Sequence, residues 1–343
     1  MKLKILTGLL TGLVVSASTT ALFCQPSRAG NHSFLCNGTL KYISTGILNG
    51  EPVFNQGIPI NTSLRLLASA QVDVGVKIPS ASAAAAPKAE DFFIQGEEKY
   101  EKGDYQGAIA AYTQAIVLNP NYAEAYNSRG NARYILGDNK SAVTDFNEAL
   151  RINPNLSQAY GNRGLVRYSL GDKEGAIADF NQVLQINPND ALAYYHRGNI
   201  RYVSGDNQGA VADFNEAVRI NPKYAQAYIN RGNARDDLGD SQGAVADYDR
   251  ALQINPNFAG AYLNRGVTRF RLGDTQSALA DYNAALRIDP NLAGAYLSRG
   301  LARAKEGDKP GAIQDFQKAA DLFQQQGDKN NYEKAMNNLR KLQ

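Results

Sequence analysis

The feature that most constrains this chain is a period. Pro120, Pro154, Pro188, Pro222, Pro256 and Pro290 stand 34 residues apart, and so do Gly130, Gly164, Gly198, Gly232, Gly266 and Gly300. Ala142, Ala176, Ala210, Ala244, Ala278 and Ala312 keep the same step. A fixed period of this length means that one supersecondary unit recurs. No unit buries its apolar face alone, so the core comes from stacked neighbours. The clearest copy, AYINRGNARDDLGDSQGAVADYDRALQINP, runs from Ala227 to Pro256. Its Gly239-Asp240 pair punctuates two helices: the glycine supplies a left-handed C-terminal residue, and the aspartate caps the next helix. A proline closes the second helix in six copies.

Within that copy Tyr228, Arg231, Gly232, Arg235, Ala244, Tyr248, Ala251 and Pro256 fall in the places of the tetratricopeptide pattern. From Ala89 to Gln326 the chain resembles that family. The resemblance implies an all-α fold, a right-handed α-solenoid of seven 34-residue helix-turn-helix repeats. They fall at 89–122, 123–156, 157–190, 191–224, 225–258, 259–292 and 293–326, with residues 327–343 as a capping helix. It implies a binding surface rather than a particular chemistry.

The rest of the chain does not repeat. Lys2 and Lys4, the apolar run from Ile5 to Val15 and Ser27-Arg28-Ala29 read as an export signal over residues 1–29, with a retained membrane anchor as the alternative. Cleavage after Ala29 leaves Cys36 alone, whereas cleavage after Ala21 keeps Cys24 and Cys36, which can bridge in an oxidising compartment. Residues 30–78 are expected to be partly strand, at Val72 to Ile78, or disordered, and 79–88 reads as a linker rich in Pro, Ala and Ser. A bacterial, cyanobacterial-like character places the chain by resemblance in a periplasm or thylakoid lumen; a secreted or membrane-anchored form is the alternative. The net charge of +3 hides a division. Residues 89–326 carry 25 Lys and Arg against 29 Asp and Glu, which argues against nucleic acid as a partner. A membrane partner is expected only if the N-terminal segment stays as an anchor.

Numbering each repeat from 1 and stepping 100° per residue divides the first helix, helix A, into two sides. The packed side carries a departure from the family. Position 11 is Arg133, Arg167, Arg201, Arg235, Arg269 and Arg303, and position 23 on helix B is Asp145, Asp179, Asp213, Asp247, Asp281 and Asp315. A buried guanidinium needs a partner. Positions 11 and 23 lie opposite across the hairpin, so the expectation is a structural ladder pairing within each repeat. Position 7 adds Arg129, Arg163, Arg197, Arg231, Arg265 and Arg299. Twelve arginines against six aspartates leave spare guanidiniums, which are expected to find helix-end carbonyls or Tyr hydroxyls.

The other side of helix A lines the concave groove in the family, and function is expected there. Tyr134, Tyr168, Tyr195, Tyr202 and Phe270 offer aromatic contact, and Asn162, Asn199, Asn230, Asn233 and Asn264 form an amide row interrupted by His196. Amides carry both donors and an acceptor, so such a row can pair with an extended peptide backbone. Glu90, Glu97 and Glu101 in repeat one, Asp236 and Asp237 in repeat five, and Arg271 and Lys305 beyond them suit a ligand with a basic segment toward repeat one. The position-5 lysine with which some family members clamp a terminal carboxylate is absent from every copy.

No metal, nucleophile-elbow or phosphate-loop pattern occurs, so no catalytic residue, metal or cofactor is expected. His196 lacks an evident acid or nucleophile partner. The expectation is a non-enzymatic, exported scaffold that binds a protein or an extended peptide, in the role of an assembly factor. The alternative puts an enzyme or sensor in residues 30–78, with the array as a targeting arm.

Overall fold

The computed structural model describes residues 24–26, 34–36 and 87–343. Two short antiparallel strands, Cys24–Pro26 and Phe34–Cys36, pair with Cys24 opposite Cys36. The remaining expectations for the export signal, for residues 30–78 and for the linker up to residue 86 lie outside the described residues.

From Ala89 onward the chain is helical. The A helices are Ala89–Glu101, Ala123–Ile135, Ser157–Ser169, Ala191–Val203, Ala225–Asp237, Ala259–Arg271 and Ala293–Lys305. The B helices are Tyr105–Leu118, Asn139–Ile152, Lys173–Ile186, Asn207–Ile220, Ser241–Ile254, Thr275–Ile288 and Lys309–Gln325. A final helix spans Lys329–Leu342. No described helix is long and apolar enough to cross a membrane.

Each hairpin turns on the same two residues. Gly205, for example, has φ +86°, a conformation that strains any residue with a Cβ. Asp206 then accepts the Gly209 backbone N–H at 2.9 Å and caps helix B. A second glycine is fixed by packing rather than by φ. The position-24 aromatic of helix B lies against the backbone of helix A, so a Cβ on Gly198 would stand 2.8 Å from the Phe214 ring. Those aromatics, from Tyr112 to Phe316, are fully buried and form the spine of the core.

The array is closed differently at its two ends. Positions 3 and 10 of helix A meet the preceding repeat and are small or apolar and buried, as with Ala193 and Ile200 in repeat four. In repeat one they are Asp91 and Glu98, both exposed. Carboxylates there end the stack, because burying them against another repeat would strip their water. At the other end the last helix lays Ala335 and Leu339 on Leu322 and Phe323, with Tyr332, Met336 and Leu342 around them.

Candidate functional site

The arginines and aspartates of the packed side form one cluster per repeat. Arg201 Nη1 donates to Asp213 Oδ2 at 2.8 Å, and Arg133, Arg167, Arg235, Arg269 and Arg303 meet Asp145, Asp179, Asp247, Asp281 and Asp315 in the same way, at 2.8 to 2.9 Å. The destination of the spare guanidiniums is a correction to the sequence reading. The position-7 arginine grips the same aspartate with two N–H groups: Arg197 Nε and Nη2 reach Asp213 at 3.0 and 2.6 Å. Its remaining Nη1 crosses to the preceding repeat and donates to Asn181 at 2.6 Å. Its guanidinium also lies over the Tyr194 ring, 5.4 Å from the centroid. No Tyr hydroxyl is used in this. The charge imbalance is eased by the capping aspartates, since Arg201 Nε lies 3.8 Å from Asp206, and by a helix-B carbonyl, Gly209 O. Sequence spacing missed these partners because they come from a turn and from a neighbouring repeat.

The opposite face of helix A is more occupied than the sequence reading supposed. Position 6 of one repeat faces position 5 or 9 of the repeat before it where adjacent A helices pack, and their amides join. Asn162 donates to Asn127 at 3.0 Å, Asn230 to Asn199 at 2.7 Å and Asn264 to Asn233 at 2.9 Å. Asn233 also accepts from Tyr248 at 2.8 Å. Asn162, Asn233, Asn264, Tyr195, His196 and Tyr202 are buried. The asparagine row therefore links adjacent A helices, and each of these bonds engages only part of an amide's donors and acceptors.

The charged side chains of repeats five to seven also have partners within the array. Tyr202 donates to Asp237 at 2.8 Å. Asp236 is buried against Arg271 and accepts from Ser241. Burial raises the Asp236 carboxyl, and Arg271 opposes that shift. Lys305 sits 4.9 Å from the centre of the Phe270 ring. At that end of the face two carboxylates stand against two cations, and one pair, Asp236 and Arg271, is in direct contact.

His196 stacks on Phe180 and meets Tyr195 edge-on. Its Nε2 is buried without a hydrogen-bond partner, and burial lowers its pKa to about 3. The imidazole is thus held in its neutral form, and its Nε2 meets no acid or nucleophile. No group of His, Cys, Asp and Glu able to hold a metal occurs among the described residues.

Half-buried on this face, each with an edge in solvent, are Tyr134 and Tyr168, with Ile135 beside them, and Phe270. In repeat one Ile94 is exposed by 49% and Tyr100 is half-buried. These aromatic and aliphatic edges on consecutive A helices can give contact area to an extended chain at low entropic cost.

Comparison with known proteins accords with this architecture. A family model described as TPR repeat matches residues 96–137, 130–171, 164–205 and 198–239, and one described as Tetratricopeptide repeat matches 229–293. No curated protein matches the chain. A tetratricopeptide repeat protein from Parabacteroides merdae is 22% identical, covering 72% of this chain and 98% of its own, with a TM-score of 0.56. Pseudomonas aeruginosa pilF is 16% identical, covering 62% of this chain and 95% of its own, with a TM-score of 0.54. YrrB, a TPR protein with an unusual peptide-binding site, is 24% identical, covering 56% of this chain and 97% of its own, with a TM-score of 0.47. The first two of these likenesses speak to the fold alone. The family models together span more than half of the sequence, and the chain belongs to the tetratricopeptide repeat family.

Proposed function

We propose that this protein is a non-enzymatic scaffold that holds a protein or an extended peptide against the A-helix face of its repeats, acting as an assembly factor in an exported compartment. The observation that carries the binding reading is the half-buried pair Tyr134 and Tyr168, which keep an edge in solvent at the same place on consecutive A helices, beside the exposed Ile94 of repeat one. Ordered aromatic edges on a rigid face lose little freedom on binding. The exported location is supported by the N-terminal pattern of Lys2, Lys4, the apolar run and the small-residue site. Membership of a family built on stacked binding surfaces supports the scaffold role.

The test is a pull-down from an extract of the exported compartment, with the full chain and a Tyr134→Ala/Tyr168→Ala variant as baits. Circular dichroism first establishes that the variant folds. A protein held by the first bait and lost by the second supports the reading. Equal retention by both removes the A-helix face from it. An N-terminus beginning at residue 1 in the mature protein recovered from cells would remove the cleaved signal.

A further inference from the structure

Charged side chains on the A-helix face divide sharply along the array. In repeats five to seven they are Asp236, Asp237, Arg271 and Lys305, two carboxylates matched in number by two cations, with Asp236 and Arg271 in direct contact. In repeats one and two they are Glu90, Glu97, Glu101 and Glu124, with no cation on that face. None of these four is in an ion pair, although Lys99 and Lys102 belong to the same stretch of chain. Glu97 accepts from Tyr112 at 2.6 Å, which leaves its charge uncompensated. Glu90, Glu101 and Glu124 are exposed. Their fields converge: the Tyr122 hydroxyl is raised by burial first, then by Glu90, Glu124 and Glu97. The same end of the face carries an apolar strip, in which Ile94 is exposed and Tyr100, Tyr134, Ile135 and Tyr168 are half-buried.

We infer that the binding face is confined to repeats one to three and takes an extended peptide that alternates apolar residues with lysine or arginine. This rests on the reading above and adds the location and the chemistry of the ligand. The apolar residues cover the tyrosine strip, and the cations lie beside Glu90, Glu101 and Glu124. Charge complementarity of this kind orients a ligand and raises its rate of encounter more than it raises affinity. Repeats four to seven then act as a support, with no charge on this face in repeat four and equal numbers of cations and carboxylates in repeats five to seven.

The test uses two fluorescein-labelled octapeptides, alternating leucine with lysine in one and with glutamate in the other. Binding to the full chain is followed by anisotropy. The lysine peptide is expected to bind about 10-fold more tightly at low salt, in proportion to two or three exposed charge contacts, with the preference shrinking as salt is added. Glu90→Lys/Glu101→Lys changes exposed side chains without partners, so the fold should survive, and the preference should vanish. Tyr134→Ala/Tyr168→Ala should weaken both peptides. Equal affinity for the two peptides, or a preference untouched by Glu90→Lys/Glu101→Lys, overturns the inference. If both peptides bind equally and both are lost in the tyrosine variant, the A-helix face remains the binding site and only its charge selectivity falls. If neither peptide binds, the inference and the peptide-binding reading fall together.

Discussion

Arg197 touches Asp213 in its own repeat and Asn181 in the one before it. One guanidinium therefore ties helix A of repeat four to both helices B that flank it. Arg201 completes the cluster on the same carboxylate. Asp213 is buried and receives three charge-assisted bonds, while its arginines keep edges in solvent. Burial of one small anion thus orders two long cations at the seam between repeats.

Removing Asp213 should be far worse than removing the whole cluster. Asp213→Ala leaves two guanidiniums partly buried without their anion, and such breakage costs roughly 3–5 kcal/mol. Replacing Asp213, Arg197 and Arg201 together by Leu, Met and Met should recover much of that loss. Urea midpoints of the two variants test this, and hydrogen exchange should place the damage in repeats three and four. Equal destabilisation by both would show that the cluster stabilises the array outright rather than specifying its geometry.

A methyl group on Gly198 meets the Phe214 ring at 2.8 Å and Asp213 Cβ at 3.2 Å. Gly198→Ala must therefore push helix B outward, at about 1–3 kcal/mol for overpacking. Gly205→Ala has open space around its Cβ but must hold φ +86°. Its cost is that of a left-handed residue alone, about 1–2 kcal/mol. Adding Phe214→Leu should relieve the first variant and leave the second unchanged, as thermal unfolding of the double variants would report.

The helices, their hairpin order and the ladder spacing were legible because they repeat. Any side chain recurring every 34 residues declares its environment seven times over. Arg201 and Asp213, twelve apart across a hairpin, could be paired on that ground. The A-helix face was less legible. An asparagine at position 6 reads the same whether its amide meets a ligand or the next helix, and only the distance from Asn230 to Asn199 decides. Asp236 and Arg271 are 35 residues apart and occur once, so the period gave no second copy to compare. Nor does helical periodicity reveal that Glu97 bonds Tyr112, because that contact depends on how closely one hairpin closes.

His196 makes stability depend on pH. Burial lowers its folded pKa from 6.5 to about 3. Between those values the unfolded chain binds a proton that the folded chain refuses, so stability rises with pH there. Sign and window follow: the contribution is fully present above pH 6.5 and is lost as pH falls toward 3. The steepest loss is about 1.4 kcal/mol per pH unit. Phe180, stacked on the imidazole, has no ionisable group. His196→Phe should therefore flatten the curve of urea midpoint against pH between 4 and 6.5, and it should not destabilise at neutral pH because the unpartnered Nε2 disappears. A variant that keeps the wild-type slope would move the titration to other groups. One that loses stability at neutral pH would mean that Nε2 is hydrogen-bonded in solution, through a bound water for instance.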